Sequence, residues 1–300
     1  MRRGLRRYRS ARYRLRERLR PTTLGADDVA RALRDCGLSA GDACFFQARM
    51  SAFGSFEGGP GAVVAAIGEV VGRDGLVAMP AYPMGGPALD YLAADPVFDV
   101  GRSPSRMGAI SEAFRREPGT LRSLHPTHTI CAKGSGAEPL VAGHERAESP
   151  FSEGTPFVRL RELDALQVFF GTGTAPMTMY HPFECTRKPP FPLDVFANRV
   201  FDVRCIDREG REVTVRTLVH EPRLLPGRID ANPRIQGLFR DAILEAGGAA
   251  VALGRGEILA IRLSTLFEVF ERLLARGVTM YDEPLPGGQP AVPPQKRVHA

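Results

Sequence analysis

A histidine and a glutamate three residues apart are the first candidates for chemistry in this chain. They lie in the segment MTMYHPFE (177–184), which holds His181, Pro182 and Glu184. Pro182 suits the first position of a helix, which predicts His181 as the N-cap and Glu184 as the N3 residue. A carboxylate there can hold one imidazole nitrogen and leave the other free to accept a proton, as a general base requires. The same residues equally fit a simple helix cap, so both interpretations stay open at this point.

A second group of histidines lies in LHPTHT (124–129), which holds His125 and His128. Together with the first pair, these side chains could form a metal site that assists hydrolysis. The proline and the threonines of this segment favour an extended backbone, where residues three apart point to opposite faces. No metal is therefore expected. The remaining histidines are predicted to be solvated residues of polar turns and of the tail: His144, His220 and His299.

A glycine-rich segment, SAFGSFEGGPG (51–61), raises the question of phosphate binding. It lacks the spacing of a P-loop and of a dinucleotide-binding fingerprint. Glycines at the start of a helix still let a ligand approach the backbone, and the helix N-terminus attracts anions. We therefore expect a ligand-facing loop here, without a nucleotide-binding motif.

The order of apolar and amphipathic segments indicates the fold class. DACFF (42–46), GLVAMPAY (75–82) and ALQVFFGTG (165–173) are typical of buried strands, and helical segments separate them. This alternation predicts a three-layer α/β fold with a central, largely parallel or mixed sheet. Residues 200–220 predict a C-terminal hairpin, and two amphipathic helices follow it. Residues 83–105, rich in Pro, Gly and Asp, are predicted to form a long surface loop.

The positive charge is concentrated at the amino terminus. The net charge is +6 overall and +9 in residues 1–20, which leaves −3 for residues 21–300. We expect a basic arm over 1–20, disordered or a frayed helix, then a single domain over 21–285 and a loose tail over 286–300. Such an arm could bind nucleic acid or anionic lipid, but no aromatic platform accompanies the arginines. No nucleic-acid partner is expected for the folded body.

Cysteine usage and hydropathy bear on the location of the protein. The five cysteines are scattered without a Cys-x-x-Cys pair, which favours reduced, buried thiols in the cytoplasm. No run of 18 apolar residues and no apolar signal region is present, so neither a membrane span nor a secretory signal is expected. The cysteines are Cys36, Cys44, Cys131, Cys185 and Cys205.

Five segments together carry a family resemblance. They are SAFG (51–54), GLVAMPAY (75–82), SPSRMGAISEAFRREPGTLRSLHPTHTICAKG (103–134), GHERAESPFSEGTPFVRL (143–160) and GTGTAPMTMYHPFE (171–184). In this order they resemble the aminoglycoside 3-N-acetyltransferase family, the antibiotic acetyltransferases that differ in fold from the GNAT group. The resemblance covers roughly residues 24–280.

The resemblance implies a CoA-dependent N-acyltransferase of the kind that confers antibiotic resistance. An acetyl group would pass from acetyl-CoA directly to an amine, with His181 as the general base and Glu184 as its partner. Further residues match regions that lie along the CoA channel in such enzymes: Ser51, Met107, Arg122, Ser123 and His125.

One departure from the family pattern concerns the cofactor. Family members commonly have His-Ser-Ser-Leu before the Ser-x-x-Gly element, whereas this chain has QARM (47–50). Arg49 could hold an acid or phosphate of the cofactor, or it could block the acetyl pocket. The leading hypothesis is acetylation of an aminoglycoside, an amino sugar or a biosynthetic amine, with the last two preferred. The alternative is a catalytically impaired acyl-CoA-binding homologue, and a homodimer is left open in either case.

Overall fold

The structure, a computed structural model, describes residues 23–282. The predicted arm (1–20) and tail (286–300) lie outside the described residues. None of the helices in the described range has the length and apolar content that crossing a bilayer requires.

The strands of the described residues are β1 (Thr23–Leu24), β2 (Ala43–Ala48), β3 (Ser55–Phe56), β4 (Leu76–Pro80), β5 (Phe98–Asp99), β6 (Leu121–Arg122), β7 (Ile130–Gly134), β8 (Leu166–Phe170), β9 (Phe196–Ile206), β10 (Glu212–His220), β11 (Ala249–Leu253) and β12 (Gly256–Arg262). The α-helices are α1 (Ala26–Asp35), α2 (Gly59–Val71), α3 (Ala88–Leu92), α4 (Ala109–Arg116), α5 (Ala137–Val141), α6 (Pro156–Glu162), α7 (Tyr180–Thr186), α8 (Pro233–Glu245) and α9 (Leu263–Ala275). Short 3₁₀ helices cover Met50–Ala52, His144–Arg146, Pro222–Leu224 and Ile229–Ala231.

The central sheet has seven strands in the order β11-β12-β8-β2-β4-β7-β6. β2 pairs in parallel with both β8 and β4, and the other neighbours in this sheet are antiparallel. The predicted α/β fold with a mixed central sheet is confirmed. Because β2, β4 and β8 run the same way, their carboxyl ends meet at one edge, where α/β proteins bind ligands.

Alternating apolar residues on the central strands separate two hydrophobic layers. In β2, Phe45 packs into one layer and Phe46 into the other, and in β8 Phe169 and Phe170 divide in the same way. This follows from the period of two in a strand, which sends successive side chains to opposite faces. One layer holds the buried faces of α1, α2 and α4, and the other those of α6, α8 and α9. The sheet is thus covered on both sides, as its almost continuous apolar strands require.

A second sheet, with the order β10-β9-β5, encloses a smaller apolar cluster. The predicted hairpin is present as β9 and β10, and it turns over residues 207–211. The register of this pair shifts between Leu218 and His220, at the end of β10. That irregularity turns His220 into the interior, where it is 9% exposed.

Two segments differ from their predictions. Residues 83–105, predicted as a loop, contain α3 and β5. The hairpin of β11 and β12 was not predicted, because its alanines and glycines lack the β-branched pattern of a strand. It extends the central sheet through antiparallel pairing of β12 with β8.

Candidate active site

Helix α7 carries both members of the His-x-x-Glu pair. Residues three apart on a helix share a face, and Nδ1 of His181 lies 2.9 Å from Oε2 of Glu184. The helix begins at Tyr180, and the backbone amide of His181 donates to the carbonyl of Thr178 at 3.0 Å. His181 is therefore the second helical residue and not the N-cap, and Glu184 is the fifth and not N3. The predicted capping geometry was wrong, but the pairing of the two side chains is present.

Burial sets the protonation of this pair. It lowers the pKa of His181 well below its usual value and raises the pKa of Glu184. Since a carboxylate only accepts hydrogen bonds, Nδ1 of the neutral imidazole carries the proton and donates a hydrogen bond to Glu184. Nε2 of His181 has no hydrogen bond with any described residue. The imidazole is thus held in the tautomer whose Nε2 can accept a proton.

His220 lies against this pair from the end of β10. Its ring centroid is 4.1 Å from that of His181, and its Nε2 is 3.9 Å from Oε2 of Glu184. Burial, and then the neighbouring His181, lower the pKa of His220 to about 4. The prediction that His144 and His220 are solvated was wrong, since both side chains are buried. The strand pattern gave no signal for His220, because the register shift that turns it inward follows no periodicity.

A cleft of ≈ 880 Å³ opens at the carboxyl ends of β2, β4 and β8. Three of the predicted cofactor-binding residues, Arg49, Ser51 and Met107, line it. Thr178 lines the cleft three residues before His181. Its hydroxyl oxygen accepts a hydrogen bond from the side-chain amide of Gln47 at 2.8 Å. Because the carbonyl of Thr178 also accepts from the amide of His181, one short turn links the cleft wall to the pair.

Asp230 provides a carboxylate on the cleft wall. It accepts from Nε of Arg228 at 2.7 Å, and the charges of both residues act on the pKa of His181. His181 itself does not line the cleft, and 8% of its side chain is exposed. The pair therefore adjoins the part of the wall that Thr178 and Asp230 form.

Three predicted cofactor-binding residues do not line the cleft. The guanidinium of Arg122 donates to the carbonyls of Ala81, Val100 and Ser103. Ser123 and His125 both contact the buried ring of His144: the Ser123 hydroxyl lies 2.9 Å from Nδ1, and the His125 ring stacks on it at 4.5 Å. Arg122, Ser123 and His125 are therefore placed in the interior, away from the wall of this cleft.

The segment LHPTHT is bent rather than extended, which explains this placement. The backbone amides of Thr127 and His128 both point at Nδ1 of His125, each at 3.3 Å. A proline after His125 restricts the backbone without imposing a strand. The predicted extended geometry was wrong here.

Histidine and carboxylate ligands for a metal come together at one place within the described residues. Ligand atoms of His181, Glu184 and His220 all lie within 4.8 Å of one another. The hydrolase hypothesis combined His181 and Glu184 with His125 and His128, and this set is not brought together. His125 belongs to the stack with His144, and His220 takes the third position instead.

The comparison with known proteins decides the family. The family model described as aminoglycoside 3-N-acetyltransferase matches residues 45–275, which include the cleft residues of β2 and both members of the His-Glu pair. The chain belongs to this family.

Relatives of the aminoglycoside 3-N-acetyltransferase family match to different extents. Aminoglycoside N(3)-acetyltransferase VIII of Streptomyces fradiae is 30% identical over 265 residues, which cover 83% of this chain and 88% of that protein. Aminoglycoside N(3)-acetyltransferase VII of Streptomyces paromomycinus is 30% identical over 175 residues. That match spans 60% of the relative's length, and the match to enzyme IX of Micromonospora chalcea spans 58%.

Solved structures of this family share the fold. The structure of AAC-VIa bound to sisomicin matches with a TM-score of 0.68 and 26% identity, over 85% of this chain and 99% of that one. The binary complex of AAC-IIIb with CoASH matches with a TM-score of 0.68 and 23% identity, over 85% and 97%. At this identity the second match is evidence of fold alone.

Proposed function

We propose that this protein is an acetyl-CoA-dependent N-acetyltransferase that acts on an amino group of an aminoglycoside, an amino sugar or a biosynthetic amine. The observation that carries the proposal is the buried pair of His181 and Glu184, 2.9 Å apart, beside a large cleft in a chain of this family. Membership of this N-acetyltransferase family supports a CoA donor, and the solved relative bound to sisomicin supports an amine acceptor.

The proposed mechanism is direct attack of the amine on the thioester, with His181 as the general base. An aliphatic amine is largely protonated at neutral pH and must lose a proton before or during attack. Nε2 of His181 accepts that proton while the N–C bond forms, and the negative carboxylate of Glu184 stabilises the imidazolium. The C–S bond then breaks, and the proton passes from the imidazolium to the CoA thiolate.

The cleft suits the donor. Acetyl-CoA carries phosphates, and the cleft wall includes two arginines, Arg49 and Arg106, for which the described residues provide no ion-pair partner. Among the described residues, the one carboxylate on the wall is that of Asp230, and it is already paired with Arg228. We infer that the arginines attract the anionic part of CoA, with the thioester directed toward Thr178 and the His-Glu pair.

Cysteine chemistry agrees with a cytoplasmic location, which is part of the proposal. All five cysteines are free thiols, and burial raises the pKa of Cys44 and Cys131, so both stay protonated and unreactive. Reduced thiols and acetyl-CoA are both available in the cytoplasm.

An acyl-CoA-binding homologue without transferase activity is the second candidate. Arg49 favours it, because a bulky cation lines the cleft where the family commonly has small polar residues. The intact His-Glu pair favours the enzyme.

Calorimetric titration of the purified protein with CoA and with acetyl-CoA tests the proposal, followed by a panel of amines scored for acetylated product by mass spectrometry. We expect both ligands to bind, acetyl-CoA the tighter, and at least one amine to be acetylated. Binding without acetyl preference and without product would favour the inactive homologue. Absence of CoA binding would overturn the donor assignment.

A further inference from the structure

The carboxylate of Glu184 lies between two buried imidazoles. On one side it accepts from Nδ1 of His181 at 2.9 Å, and on the other it faces Nε2 of His220 at 3.9 Å. The second distance is too long for a hydrogen bond. The three side chains come from two elements far apart in sequence, helix α7 and the end of β10, so their meeting is a feature of the tertiary fold.

Two polar atoms in this cluster have no hydrogen-bond partner although they are sealed from solvent. They are Oε1 of Glu184 and Nε2 of His220. A buried carboxylate oxygen and a buried imidazole nitrogen without partners are costly, and native structures rarely leave such atoms unsatisfied. Nε2 of His220 faces the carboxylate through Oε2, and the buried hydroxyl of Tyr281, which also acts on Glu184, has no partner either. A cation held by the carboxylate and the imidazole of His220 would satisfy both of those groups.

The spacing of the ligand atoms fits a zinc ion. With bonds of about 2.0–2.2 Å to nitrogen and oxygen, the ligand atoms of a tetrahedral zinc site lie roughly 3.3–3.6 Å apart. The observed separations of 2.9 and 3.9 Å bracket that value, and all three ligand atoms lie within 4.8 Å of one another. Two imidazoles and one carboxylate are also a ligand set that zinc commonly takes.

A second cavity lies next to this cluster. It has a volume of ≈ 820 Å³, and Glu184 forms part of its wall together with Cys185 and Glu221. This cavity is distinct from the cleft that we assign to the donor, because no residue lines both. A water molecule from this side would complete a four-coordinate site.

We propose that His181, Glu184 and His220 bind one Zn²⁺ ion, through Nδ1, the carboxylate and Nε2 respectively, and that the bound ion switches the enzyme off. Zinc on Nδ1 of His181 displaces the proton that forms the hydrogen bond to Glu184. The neutral imidazole must then carry its proton on Nε2. The nitrogen that would take the proton of the amine no longer has a free lone pair. The binding stands independently of the proposed function, whereas the inhibition depends on it.

Binding is tested on the full-length chain after treatment with a chelator. Zn²⁺ is titrated in competition with a chromophoric indicator for the wild type, His220→Phe and Cys185→Ser. His220→Phe keeps an aromatic ring against His181 and Phe196 but removes the ligand nitrogen. Cys185→Ser controls for zinc capture by the thiol in the cavity wall. We expect one site, weakened at least ~10–100-fold by His220→Phe, because loss of even a supporting partner costs that much, and unchanged by Cys185→Ser.

Cobalt provides a second readout that does not depend on activity. Co²⁺ in the wild-type site should give the visible absorption of a tetrahedral centre without a sulfur charge-transfer band. Wild-type affinity in His220→Phe, or loss of the site in Cys185→Ser, would overturn the assignment. Circular dichroism of each variant establishes that it is folded.

Inhibition is measured once an amine substrate is in hand, with each variant compared with its own zinc-free rate. We expect stoichiometric Zn²⁺ to abolish transfer by the wild type, a chelator to restore it, and His220→Phe to resist. Zinc binding at the site without loss of rate would overturn the inhibition and leave the binding intact. A zinc-free protein that acetylates no amine would count against the proposed function, and the titration would still decide the metal site.

Discussion

Two pairs of stacked histidines lie in the interior, and they differ in what their nitrogens contact. The rings of His125 and His144 are 4.5 Å apart, and those of His181 and His220 are 4.1 Å apart. In the first pair, both nitrogens of His144 are hydrogen-bonded, to a serine hydroxyl and to a backbone carbonyl. In the second pair, His181 uses one nitrogen on a carboxylate and has no hydrogen bond from the other to the described residues.

Burial alone does not distinguish the two pairs, because it lowers the pKa of all four rings. A carboxylate on one nitrogen and a lone pair on the other are what make a histidine a base. A histidine with both nitrogens bonded has no lone pair to use. We therefore assign chemistry to the His181 pair and structural support to the His144 pair.

The largest expected effect comes from Glu184→Gln. An amide cannot stabilise the imidazolium and no longer fixes the tautomer, so we expect the acetyl-transfer rate to fall on the order of 10²–10⁴-fold. Glu112→Gln is the matched control, since Glu112 is a carboxylate paired with Arg115 at 2.8 Å on helix α4. Steady-state kinetics of both variants on one amine would contradict the assignment if Glu184→Gln kept a rate close to that of the wild type.

His144→Ala should affect stability and leave the rate of the folded protein nearly unchanged. The substitution leaves a cavity and removes one hydrogen-bond partner of the Ser123 hydroxyl, at a cost of about 2–4 kcal/mol in the free energy of unfolding. Denaturation with urea measures that loss, and kinetics below the transition measures the rate. A rate loss as large as that of Glu184→Gln would erase the distinction between the two pairs.

The pH dependence of stability should follow the buried histidines. Burial lowers the pKa of His144 to about 3 and of His220 to about 4, against about 6.5 in the unfolded chain. The unfolded state therefore binds more protons below pH 6.5, so stability is complete above that pH and falls as the pH drops toward 4. Each histidine contributes a slope of about 1.4 kcal/mol per pH unit.

Urea denaturation between pH 7.5 and 5 measures that slope. His144→Ala should reduce this slope by the contribution of one histidine, about 1.4 kcal/mol per pH unit. The raised pKa of Glu184 acts in the opposite direction above pH 4.5, so its contribution partly offsets that of the histidines. A free energy of unfolding that does not change below pH 6.5 would mean that the rings of His144 and His220 are solvated in the folded protein.

The smallest expected effect belongs to Arg49→Ala. Arg49 is an exposed cation on the cleft wall. An exposed charge interaction contributes about 0.3–1 kcal/mol, so we expect the affinity for CoA to fall roughly 2- to 5-fold. The loss should shrink at high salt, because salt screens exposed charges. Calorimetry at two salt concentrations measures it. Acetyl transfer that increases in Arg49→Ala would indicate that the arginine blocks the acetyl pocket.

Local periodicity predicted the parts of the molecule that depend on neighbours in sequence. The apolar segments of β2 and β8, separated by helical segments, predicted buried strands in a three-layer α/β fold, and the spacing of His181 and Glu184 predicted that their side chains can meet. Both are consequences of strand and helix geometry within a few residues. The predicted arm and tail lie outside the described residues and stay predictions.

Features that depend on distant parts of the chain were not accessible in this way. His220 joins the pair through an irregularity in β10, and His144 is buried by packing against His125 and Phe157. Polar residues without a periodic pattern carry no signal of burial, so both were predicted as solvated. Family resemblance placed Arg122 along the cofactor channel, but only the tertiary fold shows that its guanidinium is already bonded to three backbone carbonyls.

The most direct test of the proposed base is the rate of product formation by His181→Ala at saturating acetyl-CoA, with the best amine of the panel. Calorimetry on the same sample establishes that the cofactor still binds. We predict that acetyl-CoA binds with nearly wild-type affinity, because His181 does not line the cleft, and that product forms at least ~100-fold more slowly. A variant that binds acetyl-CoA and forms product at the wild-type rate would show that His181 is not the base.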